Sequence, residues 1–246
     1  MRALFLVIHA ITALKPVRRV MLIRHAESEH NEAERNWDLR GLLLKRDHGI
    51  TTAGYAQCDA LHEYVAEQRA DAASPWADAR LELYASPLTR AIQTALIATD
   101  GIDKPLVLLP DARELGAGPI AGRDSLGAAV GVLEILDRVS DESARPLAIE
   151  RVDAARCEAR WWSRWEPHVR ARRRVDRFLG ELADGEGPAA VVCHSLLIRS
   201  ILKRHCPDDG DLSRGLIPNC SVLALDVSRD GDGVRLANPA LAFSPA

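Results

Sequence analysis

The stretch Val20-Met21-Leu22-Ile23-Arg24-His25-Ala26-Glu27-Ser28-Glu29-His30-Asn31 decides how the chain reads. A short apolar run stops at an Arg-His pair and gives way to polar residues. An apolar run of this length between polar flanks predicts a buried strand, here from Arg19 to Ile23. The pair then sits at the strand's carboxyl end, the edge where open α/β sheets bind ligands. A guanidinium binds anions through a fixed fork, and an imidazole is nucleophilic at neutral pH. Arg24 and His25 together point to chemistry on a phosphoryl group, if the rest of the chain supplies partners.

The chain has 246 residues, enough for one α/β domain or two small ones. With 47% hydrophobic and 27% charged residues it has the balance of a globular protein. A net charge of −3 argues against a nucleic-acid surface, so an anionic substrate would be drawn by local arginines. The five cysteines include no Cys-x-x-Cys pair, which fits neither a disulfide framework nor a zinc site. A reducing, cytoplasmic setting is expected, with no membrane span. Residues 1–17 form an N-terminal extension. Ala3 to Leu14 has the apolar character of a signal-peptide core, so a weak targeting segment is one reading. An extra strand or helix, or a start site placed too early, is the other. His9 within the run and the lack of a small-x-small site before Pro16 favour the latter.

Residues 31–49 read as a long polar loop with one helical turn at most, and loops this long are usually functional or disordered. Thr51 caps a helix running to about Ala70, with Gly54, Cys58, Leu61 and Val65 on one face. Glycine there permits close approach to a neighbour. Leu81 to Ala85 is the second strand. Ser86 and Pro87 then read as the cap and first residue of a helix with Leu88, Ile92 and Leu96 as its stripe. Arg90 in its first turn leans back toward the strand end. Pro105 to Leu109 is a third strand, leading into Asp111-Ala112-Arg113-Glu114. Residues 117–166 loosen into a cap insertion, with helical periodicity near Gly127–Val139 and again near Ala154–Arg164. Its Trp161, Trp162 and Trp165 are expected to anchor it to the body rather than line the substrate pocket. Val169 to Leu182 is a helix on which Arg170, Arg172, Arg173 and Arg174 read as a solvated face. Ala189 to Cys193 is a buried parallel strand ending at His194. A helix follows with the stripe Leu197, Ile198, Ile201 and Leu202, and then a last strand, Ser221 to Val227.

Four strand ends thus deliver Arg24 with His25, Arg90, Glu114 and His194. Strands alternating with helices imply one carboxyl edge, where these residues can converge. Glu27, Asp111 and Asp124 are further acids on nearby loops. His30, His48, His62, His168 and His205 read as surface or loop residues. Ser28 and Ser195 read as caps rather than nucleophiles, since no Gly-x-Ser-x-Gly elbow is present.

The ordered motifs Arg24-His25-Ala26-Glu27-Ser28 with Asn31, Ile50-Thr51-Thr52-Ala53-Gly54-Tyr55-Ala56-Gln57, Ala85-Ser86-Pro87-Leu88-Thr89-Arg90-Ala91-Ile92-Gln93-Thr94-Ala95, Arg113-Glu114-Leu115 and Val192-Cys193-His194-Ser195 resemble the histidine phosphatase superfamily, the phosphoglycerate mutase-like group. The likeness runs from Arg19 to about Val227. Ala26 departs from the usual glycine, and a small residue there should be tolerated. The resemblance implies a three-layer α/β/α sandwich with a mainly parallel sheet over residues 18–246. It implies catalysis through phosphohistidine, with His25 as nucleophile and Glu114 as acid and then base. Arg24, Arg90, Asn31 and a protonated His194 would hold the phosphoryl group. No cofactor or metal is expected. The Arg-rich segment with a following proline-rich run that marks the group's mutases is missing. The expected activity is therefore a phosphomonoesterase, with mutase-type transfer or non-catalytic binding of a phospho-ligand as alternatives. The phosphorylated substrate and the oligomeric state are left open.

Overall fold

The computed structural model describes residues 17–44, 47–116, 132–157, 166–207, 212, 214–231 and 233–245. Its strands are β1 (Arg18–Arg24), β2 (Glu82–Ala85), β3 (Leu106–Leu108), β4 (Val152–Asp153), β5 (Ala189–Cys193), β6 (Val222–Asp230) and β7 (Gly233–Phe243). They form one sheet in the order β4-β3-β2-β5-β1-β6-β7. β1 to β5 run parallel, while β6 and β7 are antiparallel. The helices are α1 (Glu29–Arg35), α2 (Leu39–Leu44), α3 (Thr52–Ala70), α4 (Thr89–Ala98), α5 (Val132–Asp141), α6 (His168–Asp184) and α7 (Ser195–His205).

The sandwich follows from the period-two alternation of β1. Met21 and Ile23 face a core shared with Cys58, Leu61, Ile92 and Leu96 of α3 and α4. Val20 and Leu22 face a second core with Val175, Phe178, Ile198 and Ile201 of α6 and α7. Helices on both faces of the mainly parallel sheet match the expected three layers.

Register then does most of the work for the site. Arg24 pairs with Cys193 across β1 and β5. The next residue of each strand is a histidine, and the His25 amide donates to the Cys193 carbonyl at 3.0 Å. Two residues far apart in sequence are neighbours because two adjacent parallel strands end level.

Several expectations need correction. The supposed loop after Asn31 holds α1 and α2. Ser28 does cap α1 as expected, in a reciprocal capping box with Asn31, but Ser195 is the first residue of α7 and His194 holds its cap position. Ser86 and Pro87 do not start a helix, since α4 begins at Thr89 and lacks a side-chain bond from its own N-cap residue, Leu88. Asp47 supplies the missing acceptor from a distance: it takes hydrogen bonds from the Thr89 amide at 2.8 Å and hydroxyl at 2.9 Å. His30 and His48 are buried, with rings 5.4 Å apart. The helical reading near residues 154–164 gives way to a single 3₁₀ turn at Ala155–Cys157, and residues 158–164 fall outside the described ones. β7 went unread because its residues are mostly exposed and include Pro239, which suits an edge strand and breaks apolar periodicity.

Residues 1–16, the three tryptophans, and residues 117–131 and 158–165 of the expected cap lie outside the described residues. Of the rest of that stretch, α5 packs on α4, with Gln93 donating to the Val139 carbonyl, and Val152–Asp153 extends the sheet beside β3. Among the described residues no helix is long and apolar enough to cross a membrane.

Candidate active site

The loop that follows β1 is held from three sides. The Ala26 amide donates to the Thr94 hydroxyl of α4 at 3.0 Å. The Glu27 amide donates to Gln57 of α3 at 2.8 Å, and the Glu27 carbonyl accepts from the Thr51 amide. Gly54 lies so close that a Cβ there would collide with the Glu27 carbonyl, so the close approach expected of this glycine is the reason it is there. Ala26 is fully buried and is not among the residues with positive φ, so replacing glycine costs nothing in backbone conformation.

His25 is buried, and its ring is oriented by two contacts. Its Nδ1 lies 2.6 Å from the Ala26 carbonyl, and its Nε2 faces the Arg90 Nε–H at 3.2 Å. A carbonyl can only accept and a guanidinium can only donate. The proton therefore sits on Nδ1 and the lone pair on Nε2. Burial, then the positive charges of Arg90 and Arg24, push the His25 pKa well below its usual value. The Asn219 side chain donates to the His25 carbonyl at 2.8 Å, and Arg24 donates to the Ile217 carbonyl at 2.6 Å. Asn219 was missed by sequence reasoning. Its only signal in the sequence is the Pro218-Asn219 pair just before the last strand.

His194 stands beside His25 with ring centroids 5.0 Å apart, and its Nε2 lies 2.8 Å from the Ser86 hydroxyl. Ser86 thus serves the site instead of capping a helix. Burial, then Arg90 and His25, push the His194 pKa well below normal. Both rings are thus biased toward the neutral form, and the protonated His194 expected to hold a phosphoryl group would need that anion beside it. Burial and two nearby guanidinium groups disfavour any added cation. Arg24 Nε and His194 Nδ1 are buried without hydrogen-bond partners among the described residues.

Glu114 is buried and caps the first turn of α7. Its oxygens accept from the Leu196 amide at 3.2 Å, the Leu197 amide at 3.0 Å and the Leu115 amide at 2.9 Å. Burial raises its pKa, although those amides and Arg90 oppose the shift. The other acids are occupied elsewhere: Glu27 pairs with Arg35 and Asp111 with Arg177. Asp124 lies outside the described residues. Asn31 uses its Oδ1 on the Ser28 amide, which can only donate, so its NH₂ group is turned the other way.

Arg174 corrects the reading of α6 as carrying four solvated arginines. Arg170, Arg172 and Arg173 are exposed, but Arg174 is buried. Its guanidinium donates to the carbonyls of Asp111 (2.7 Å), Arg113 (2.8 Å) and Glu114 (3.2 Å). It also grips Glu166 with two bonds of 2.7 Å. The segment that carries Glu114 is thereby tied to α6. Among the described residues no cluster of three or more His, Cys, Asp or Glu could hold a metal ion.

Comparison with known proteins bears on the fold and the family. A 108-residue stretch is 30% identical to "Putative phosphoserine phosphatase 2" of Hydrogenobacter thermophilus, covering 44% of this chain and 45% of that protein. The match thus spans less than half of that relative. The fold is shared with phosphoglycerate mutase from Bacillus anthracis, at TM-score 0.55 and 18% identity over 91% of this chain and 92% of that one. It is shared also with a mycobacterial glucosyl-3-phosphoglycerate phosphatase, at TM-score 0.54 and 18% identity over 91% and 98%. The model of the Histidine phosphatase superfamily (branch 1) matches residues 20–239, and the chain belongs to that superfamily.

Proposed function

We propose that this protein is a phosphomonoesterase that works through a phosphohistidine on His25. The observation that carries the reading is the state of that ring: a neutral, buried imidazole with its proton fixed on Nδ1 and its lone pair on Nε2 beside Arg90. Nε2 attacks phosphorus in line with the ester oxygen. Arg24 and Arg90 balance charge spreading over the phosphoryl oxygens. Arg24 Nε and His194 Nδ1, buried and unsatisfied, are groups that such an anion would complete. A bound phosphate dianion would also favour a proton on His194. The Asn31 amide adds a donor.

Glu114, kept protonated more readily by burial, gives its proton to the departing oxygen. It then takes a proton from the water that attacks phosphohistidine, which releases phosphate and frees His25. These steps need no metal. The names of the relatives include both phosphatases and a mutase, and the lack of the mutase-type arginine segment favours hydrolysis over transfer. A panel of phosphoesters assayed with the parent chain and His25→Ala tests the reading. Hydrolysis lost in the variant is expected. Interconversion of 2- and 3-phosphoglycerate that depends on 2,3-bisphosphoglycerate would replace it with a mutase.

A further inference from the structure

Beyond the Arg-His site, one face of α6 carries arginine at positions 170, 173, 174 and 177, an i, i+3, i+4, i+7 pattern that stacks them along a single stripe. With Arg113 and Glu166 these residues line a cavity of about 290 Å³. Its carboxylates are already engaged. Glu166 is shared by Arg113 and Arg174, and Asp111 is paired with Arg177. Arg170 and Arg173 are exposed and have no ion-pair partner among the described residues. Among the described residues, five guanidinium groups line the cavity against Glu166, with Asp111 pairing Arg177 from beside it, in a chain whose net charge is −3. The crowding is felt: burial, then the neighbouring Arg174 guanidinium, pushes Arg113 down to about 10 although Glu166 pulls the other way.

We propose that this arginine-lined cavity is a second anion site, separate from His25, that takes a compact oligophosphate such as a triphosphate group. A surplus of three positive charges calls for a multivalent anion. A row of guanidinium forks suits linked phosphoryl groups, which accept paired N–H donors. The volume lies at the small end of ligand pockets, roughly 300 Å³ upward, and excludes a bulky polymer from the interior.

The test uses the full chain carrying Arg24→Ala and His25→Ala, which disables the Arg-His site, and titrates it with tripolyphosphate by calorimetry at fixed salt. One molecule should bind per chain. Adding Arg170→Ala and Arg173→Ala should weaken binding by about tenfold or more, from the loss of two charge-assisted donors. Arg172→Ala, on the adjacent face, should change it less than about twofold. Both removed arginines are exposed, and Arg173→Glu alone gives a second reading by reversing one charge. No binding in the disabled chain, or a loss no larger than that of Arg172→Ala, overturns the proposal. Neither outcome bears on hydrolysis at His25, which is read by a separate assay.

Discussion

Replacing Arg174 by methionine tests whether the general acid is held in place from α6. The side chain keeps much of its volume, but five hydrogen bonds disappear: three to the carbonyls of residues 111, 113 and 114, and two to Glu166. Removing one partner of a buried ion pair costs about 3–5 kcal/mol. At roughly 2–4 °C per kcal/mol for a chain of this size, the melting temperature should fall by about 6–20 °C. Below that melting point, the segment carrying Glu114 is no longer tied at its own carbonyl. A misplacement of about 1 Å costs on the order of a hundredfold in rate. In the phosphorylation step the loss should appear only where the leaving oxygen needs a proton. With an alkyl phosphate, the rate of phosphoryl-enzyme formation should drop by that order. With p-nitrophenyl phosphate, whose phenolate departs unprotonated, the burst of nitrophenolate should hardly change, while the later breakdown of phosphohistidine slows. An equal loss of the phosphorylation rate with both esters, or a lower melting temperature with no loss on the alkyl ester, would show that Arg174 supports the fold and not the acid.

Three further outcomes follow from the same geometry. Gly54→Ala should destabilise by about 1–3 kcal/mol in urea unfolding and lower kcat, because the new Cβ presses on the Glu27 carbonyl next to the His25 loop; an unchanged midpoint would contradict the packing. Asp47→Asn should cost less than about 1 kcal/mol while Asp47→Ala costs about 2 kcal/mol, because burial raises the Asp47 carboxyl to about 6, its φ is +56°, and its oxygens cap α4. Equal losses would show that the cap is unimportant. Both site histidines have folded pKa values below the unfolded value near 6.5, so the unfolded chain binds more protons as pH falls below that value. Their contribution to stability is full above about 6.5 and declines by up to about 1.4 kcal/mol per pH unit for each histidine below it. The acid limb of kcat/KM should also lie below 6.5, and a limb at or above that value would refute a neutral, buried His25.

The parts of the site that sequence revealed are those set by strand ends. Apolar runs at residues 20–23 and 189–193 mark two buried strands, and parallel neighbours of matched length must place His25 beside His194. Arg90 follows from helix direction and Glu114 from its place after β3. What escaped is held by contacts with no local signal. Asp47 caps a helix that starts 42 positions later. Arg174 looks like its exposed neighbours in composition, and only its turn of α6 takes it inward. Asn219 reaches back 194 positions to the His25 carbonyl. Ser86 has the sequence context of a helix cap and instead meets His194. The downward pull on the His194 pKa also has no local signal, because it comes from burial and from charges converging from other elements.

The most direct test of the central claim is to mix the protein rapidly with a phosphoester, quench in alkali, which preserves phosphohistidine, and map the modified residue by mass spectrometry. Phosphate on Nε2 of His25, formed and lost at rates that support turnover, is the predicted result, with accumulation increased in Glu114→Gln when a nitrophenyl ester is used. Turnover with no phosphoryl-enzyme at any time, or with the phosphate on His194, Ser28 or Ser195, would contradict it.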